Sequence, residues 1–217
     1  THGMLNRMHA TLLQFNYGRG VDRWNFDITT DALAESWEIS VDGLTYTFHL
    51  RKGVLWQNKP PMNGREVVAT DVKWTLERHI ATPGAPRREQ LLVVDKVECP
   101  DKYTVVIRLK EKRADMLFLL AGPYIEILAP ELVTVTGDLN TPKAVIGFGP
   151  FILKEYTPNV RIVLEKNPTY YRAKEGLPYL DELRYTCIPD ASTSLAAFRA
   201  EQIDIRGISR LDLASVK

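Results

Sequence analysis

The residues with the means to do chemistry are scattered through this chain and do not converge in sequence. The four histidines are His2, His9, His49 and His79, and no two are three to five apart. Neither Cys99 nor Cys187 has a partner at ligand spacing, so no metal site is expected from the pattern. No Gly-x-Ser-x-Gly elbow presents a nucleophile. Gly147-Phe148-Gly149 has two glycines before a proline but lacks the following Gly-Lys-Ser/Thr, which makes it a poor phosphate cradle. It reads instead as a backbone crossing between domains that uses glycine's conformational freedom. Asp181-Glu182, and Glu201 near Asp204, could supply paired carboxylates for glycoside hydrolysis. Asp181 and Glu182 follow a Leu-Pro-Tyr-Leu turn with no third group to orient them, so they read as solvated acids. Tyr170, Tyr171 and Tyr179 could stack on a ligand, but read as amphipathic edges of a core. Arg87-Arg88 reads as a solvated loop. No catalytic residue and no cofactor are expected.

The elements that would position these residues follow from periodicity. Leu44 to Leu50 alternates apolar and polar, as do Trp37, Ile39 and Val41, and Asp42-Gly43 between them predicts a type I′ hairpin. His49 falls on the polar face with Thr45, Thr47 and Arg51. Thr70 is expected to cap a helix whose buried stripe is Val72, Leu76 and Ile80, with Asp71 in its first turn and Arg78 and His79 in its last. A second hairpin spans Val97 to Leu109 and turns at Pro100-Asp101-Lys102. Asp115 to Ala121 is a short apolar helix ended by Gly122-Pro123. A third hairpin places Phe151 and Leu153 against Ile162 and Leu164, turning at Pro158-Asn159. Asp190 is expected to cap a helix over 191–200 with Leu195 and Phe198 inward, and Ile203-Asp204-Ile205 to form a strand. Cys187 alternates with Leu183 and Tyr185, so the two cysteines read as separate buried hydrophobes and not as a disulfide.

The 217 residues, 45% of them hydrophobic, are enough for one large domain or two small ones. Lys and Arg number 28 and Asp and Glu 27, a formal net charge of +1, which gives no electrostatic case for nucleic acid or an anionic membrane. Mixed strands and helices without regular βαβ alternation argue for a mixed α/β architecture.

Many short segments in a fixed order resemble the oligopeptide/dipeptide-binding group of extracellular solute-binding proteins, family 5, that feed ABC transporters. They are Gly147, Gly149, Pro150 and Phe151; Val163-Leu164-Glu165 and Asn167-Pro168 before Tyr170-Tyr171; Pro178-Tyr179-Leu180-Asp181-Glu182; Pro189-Asp190-Ala191; and Ile203-Asp204-Ile205. The stretches Leu33 to Trp56 and Asn63 to Arg78 are similar to the same group. The resemblance implies a periplasmic-binding-protein fold of type II, present here as its first lobe plus a side domain of a longer, non-enzymatic protein. Residues 1–30 and 146–217 would form lobe one, and 31–145 the side domain. It implies capture of a small solute (a peptide or oligosaccharide) and delivery to a membrane ABC permease. The protein would be a periplasmic or extracytoplasmic monomer, lipid-anchored in its full-length form.

Met8 to Leu13 occupies the place where the family often carries an aromatic and an acid. His9 stands for the aromatic and Ala10 for the acid, so the counter-ion for a ligand amine is replaced. Arg206 and Gly207, after the Ile-Asp-Ile segment, would lie at the cleft edge. The resemblance thus names His9, Ala10, Arg206 and Gly207 as substrate-binding candidates. The family commonly has glycine where Glu201 stands, and Glu201 in a left-handed conformation would cost roughly 1–2 kcal/mol. Alternatives are a binder of a sugar or metal chelate in the same fold, a carboxylate-paired hydrolase, and a sensor module.

Overall fold

The computed structural model describes residues 8–16, 21–22, 26–137, 139 and 141–207. Two small strands, β1 (Gln14–Phe15) and β2 (Ile28–Thr29), pair antiparallel ahead of the main sheet. That sheet is formed by β3 (Ala34–Ile39), β4 (Thr45–Leu50), β5 (Val94–Asp101) and β6 (Thr104–Leu109) in the antiparallel order β3-β4-β6-β5. Tyr46, Phe48 and Leu50 are buried while Thr45, Thr47 and His49 are half-buried, so period-two alternation selects the core face. The register sets Phe48 opposite Val105 and Tyr46 opposite Ile107. Helix α1 (Ala69–Ala81) packs on β5 and β6 with Val72 and Leu76 fully buried. The single turn α2 (Arg88–Leu91), α3 (Met116–Ala121) and α4 (Pro130–Thr136) cover the remainder. A third sheet, β7 (Phe151–Thr157), β8 (Arg161–Lys166) and β9 (Glu182–Thr186), precedes α5 (Ala191–Arg199).

Two apolar clusters result. The larger runs from Leu12 to Phe148 and includes Trp56, Phe48 and Leu76; the smaller holds Met8, Phe151 and Leu164. Chain order and packing diverge near the start: Met8 belongs to the smaller cluster, whereas Leu12, Leu13 and Phe15 belong to the larger.

Several local expectations change. The first hairpin is not a type I′ turn. Only Gly43 has positive φ, at 70°; Gly43 N–H donates to Ser40 O at 2.8 Å, and the Asp42 carboxylate accepts from Leu44 N–H at 3.0 Å. A side chain that caps its own turn removes the need for φ > 0 at Asp42. Ile39 and Val41 are exposed, because that side of β3 has no covering layer among the described residues. Thr70 lies inside α1, and the N-cap is Val68. Its N–H donates to Asp71 Oδ2 at 3.1 Å, so an acid three residues on does the capping. The second turn falls one residue later than expected, at Lys102-Tyr103, where Asp101 Oδ1 accepts from Tyr103 N–H at 2.7 Å.

Asp190 caps α5 as expected, its Oδ1 accepting from Thr193 N–H at 2.7 Å. The buried residue of that helix is Ala197, however, while Leu195 and Phe198 are half-buried. Residues 203–205 form no strand, and Ile205 is exposed, because no strand lies beside them among the described residues. Cys187 is exposed, one residue past the end of β9, while Cys99 is half-buried against the larger cluster; both are free thiols.

Candidate functional site

The feature that organises this chain is the seam where the 146–151 segment passes the 8–10 segment. Gly149 N–H donates to Met8 O at 2.8 Å. A Cβ on Gly147 would lie 2.0 Å from Met8 O, and one on Gly149 would lie 2.8 Å from Met8 C. Neither glycine has positive φ. Conformational freedom is therefore not their role; the need is for two main chains to touch with no side chain between them.

Side chains lock the seam from both flanks. Asn167, fully buried, donates through Nδ2 to Gly149 O at 2.8 Å, and its Oδ1 accepts from Thr169 N–H at 3.0 Å. Gln57, also fully buried, donates through Nε2 to Phe151 O at 3.2 Å, and its N–H donates to Gly147 O at 3.0 Å. Lys59 Nζ donates to Leu153 O at 2.8 Å. Phe148 meets the Trp56 ring edge-on at 5.1 Å. Beneath it, Arg65 grips Asp71 at 2.7 Å and Glu131 at 2.7 Å, and Trp56 Nε1 donates to Asp71 Oδ2 at 3.3 Å. A second stitch comes from the aromatic loop: Tyr171 Oη donates to Asp31 O at 2.9 Å and Arg172 pairs with Asp31 at 3.3 Å. Tyr170 and Tyr171 are thus structural, while Tyr179 is 84% exposed.

The seam positions the sequence-derived candidates differently from one another. His9 lies inside it, only 4% exposed, with its Nδ1 buried and without a partner. Burial pushes its pKa down to about 4, against the opposing hydrogen bond to the Ile127 backbone, so the imidazole is neutral at pH 7. Ala10 is half-buried, and its carbonyl accepts from Ile127 N–H at 2.9 Å. Arg206 sits instead at the foot of α5, with Nε donating to Gly207 O at 3.1 Å and Nη1 3.5 Å from Ala191 O. Gly207 is exposed.

Gln57, Lys59, Asn167 and the Arg65–Asp71–Glu131 network were not visible as site-forming residues in the sequence. The available signal was Asn167-Pro168 after a strand. Polar residues that satisfy backbone groups from distant segments carry no local pattern.

The geometry offers no catalytic constellation at the paired acids. Glu182 is gripped by Lys154 at 2.9 Å and by Arg184 on its other oxygen. Its hydrogen bonds to Lys154 and Arg184 hold the carboxyl below the usual range, the opposite of what a general acid needs. Among the described residues no group of three His, Cys, Asp or Glu side chains could hold a metal ion, and no helix is long and apolar enough to cross a membrane.

Comparison with known proteins agrees with this architecture. Residues 29–217 match the family described as bacterial extracellular solute-binding proteins, family 5 Middle. The dipeptide-binding protein of Escherichia coli K12 is 33% identical over 190 residues, covering 80% of this chain and 35% of its relative. The periplasmic binding protein AgaA of A. tumefaciens R10, solved with agropinic acid, superposes with a TM-score of 0.86 at 29% identity, over 99% of this chain and 41% of that one. DppA of Helicobacter pylori, solved with the peptide STSA, gives a TM-score of 0.80 at 29% identity, over 97% and 43%. The chain therefore spans about 35–45% of the length of these relatives, which are named as binding proteins. The fold is the mixed α/β periplasmic-binding-protein type, and the chain belongs to the bacterial extracellular solute-binding proteins of family 5.

Proposed function

We propose that this chain forms one wall of the ligand cleft in an extracytoplasmic solute-binding protein that captures a peptide-like solute and hands it to an ABC permease. The observation that carries this reading is the family match over residues 29–217. Function in this reading is capture by closure: two lobes hinge onto the solute, and tighter binding to the closed form drives the motion. Residues 1–30 and 146–217 are the lobe and 31–145 its side domain. The separate third sheet supports that division, as does the small cluster of Met8, Phe151 and Leu164, while Leu12, Leu13, Phe15, Ile146 and Phe148 pack with the larger cluster and join the two units.

A rigid seam suits the role. A wall that must present the same face to every incoming solute needs its two units fixed, and Gln57, which donates through Nε2 to Phe151 O and through its N–H to Gly147 O, ties the side domain to the lobe. In the same reading Ala10, Arg206 and Gly207 lie toward the solute, while His9, buried and hydrogen-bonded to the Ile127 backbone, holds the Ala10 segment in place. The full-length protein works outside the cytoplasmic membrane as a monomer, anchored by lipid.

A second ligand class, carboxylate-bearing solutes other than peptides, is favoured by the similarity to AgaA with its agropinic acid. It is favoured too by Ala10, which leaves a ligand amine without the acid expected there. Mass spectrometry of small molecules released from the full-length protein on denaturation separates the two classes. Release of a peptide or an acidic conjugate is the expected result. Turnover of chromogenic esters or glycosides by that protein, with no released solute, would overturn the reading.

A further inference from the structure

The connection between α1 and α2 and the segment that leaves α3 border a shallow, open depression of about 340 Å³ lined by Pro86, Arg87, Gln90 and Tyr124. The Arg87 guanidinium carbon sits 5.2 Å from the centroid of the Tyr124 ring. Among the described residues, that guanidinium makes no salt bridge and no side-chain hydrogen bond. Its neighbour Arg88 is spent structurally, donating through Nε to Ile80 O at 2.9 Å and pairing with Glu89 at 2.9 Å. The two arginines differ, and only Arg87 has its full complement of donors available.

The depression has a firm back. Pro86 O lies 3.2 Å from Nδ1 of the buried His79 on α1. Arg87 and Tyr124 both have positive φ, 63° and 94°, a conformation that non-glycine residues hold only when their surroundings enforce it. Ile125 and Ile127 bury into the large cluster at 1% and 0% exposure. Glu126 lies between them in the chain and pairs with Thr11 through an isolated β-bridge. Its Oε1 is buried without a partner. Along this segment the polar groups thus run from Arg87 and Tyr124, past Glu126, to the seam at Ala10 and the unpartnered Nδ1 of His9.

We propose that the depression receives a carboxylate group of the captured solute. Arg87 supplies charge and a planar pair of donors, Gln90 supplies an amide donor, and Tyr124 supplies a flat apolar floor. The volume is at the lower end for a small-ligand site, which is on the order of 300–1,000 Å³, so it takes one end of a solute and not a whole peptide. The rest of the solute extends from there along the wall. This inference rests on the solute-capture reading.

The test is an ¹H–¹⁵N NMR titration of the 217-residue chain with Ala-Ala-Ala and with its C-terminal amide at millimolar concentration. The free acid should shift the Arg87 side-chain Nε–H and the Gln90 side-chain amide. Amidation, or Arg87→Ala, should weaken binding about tenfold, the cost of one charge-assisted hydrogen-bonded pair. Arg87→Lys should recover part of the affinity, because it restores the charge without the fork. Arg87 is exposed, so its variants are expected to keep the wild-type spectrum elsewhere, which the same experiment shows. Equal shifts with acid and amide, or unchanged affinity in Arg87→Ala, would overturn the inference. Peptide-induced shifts confined to other parts of the chain would overturn it and leave solute capture standing. No shift with either peptide also overturns it, and solute capture is then decided on the full-length protein.

Discussion

The four-stranded sheet and the β7–β8–β9 sheet are built from the same device, antiparallel hairpins with alternating side chains, yet they end in different states. In the first, Phe48, Val105 and Ile107 are fully buried under α1 and its neighbours. In the second, Phe151, Val163 and Leu164 are buried, while Tyr156 and Val160 on the same hairpin, and Tyr179 and Leu180 beyond it, are exposed. Alternation tells which face of a strand is apolar; it does not tell what covers that face. The first sheet finds its cover within the described chain. The second is tied to the first by Gln57 on Gly147 O and Phe151 O, by Lys59 on Leu153 O and by Phe148 against Trp56. These few contacts, far fewer than those inside either sheet, are therefore expected to decide whether the two regions stay together.

The sharpest way to break that link is Gly147→Ala. A methyl group 2.0 Å from Met8 O cannot be accommodated without moving one main chain. The expected loss is at least ~3 kcal/mol, at the upper end for overpacking because the obstacle is backbone. Denaturant midpoints read it, and near-native spectra of the four-stranded sheet with altered spectra of β7–β9 would locate it. A shift of less than ~1 kcal/mol would mean the seam yields easily, and the comparison would fail.

His9 gives the next largest effect. Its folded pKa is depressed to about 4 from 6.5. The unfolded chain therefore binds the extra proton first as pH falls, and stability is lost between about pH 6.5 and 4. The loss is roughly 3 kcal/mol, and stability is flat above that window. His79, also shifted down by burial, acts with the same sign. Stability against pH for the native chain and for His9→Asn should differ mainly in this window. Parallel curves would show that His9 is not held neutral.

The smallest effects lie at the two ends of α5, on the open region. Asp190→Ala should lower the melting temperature modestly by removing the bond to Thr193 N–H. Glu201→Gly should raise stability by ~1 kcal/mol, since Glu201 has φ 55° and closes the helix with its N–H on Phe198 O and that of Gln202 on Ala197 O. Changes in the four-stranded sheet's hydrogen exchange on either substitution would show the two regions to be one cooperative unit.

How much of this could be read from the residues follows from where the information lies. The strands β4, β6, β7 and β8, the body of α1 and the Asp190 cap are local, set by periodicity and short-range capping, and all were legible. The strain at Glu201 was legible too, as a departure from a glycine position. The first hairpin forms where alternation places it, but its turn is not type I′ because Asp42 bonds within its own turn, and the α1 cap moves to Val68 because Asp71 reaches back to it. Ile203–Ile205 reads as a strand by alternation but is none, because a strand exists only beside another and none lies there among the described residues. The candidate site was the least legible part. Gly147 and Gly149 were singled out, but their reason, contact with Met8 across more than a hundred residues, has no trace in local sequence. The same holds for Gln57 and for the meeting of Arg87 with Tyr124.

The most direct measurement of the central claim is calorimetric titration of one identified solute into the full-length protein and into this 217-residue chain. If the chain is a single wall of a two-walled cleft, it leaves exposed much of a ligand that small-molecule sites bury to about 70–90%. The account expects tight binding by the full-length protein and binding by the chain that is orders of magnitude weaker. A submicromolar Kd for the chain alone, at one solute per chain, would contradict it.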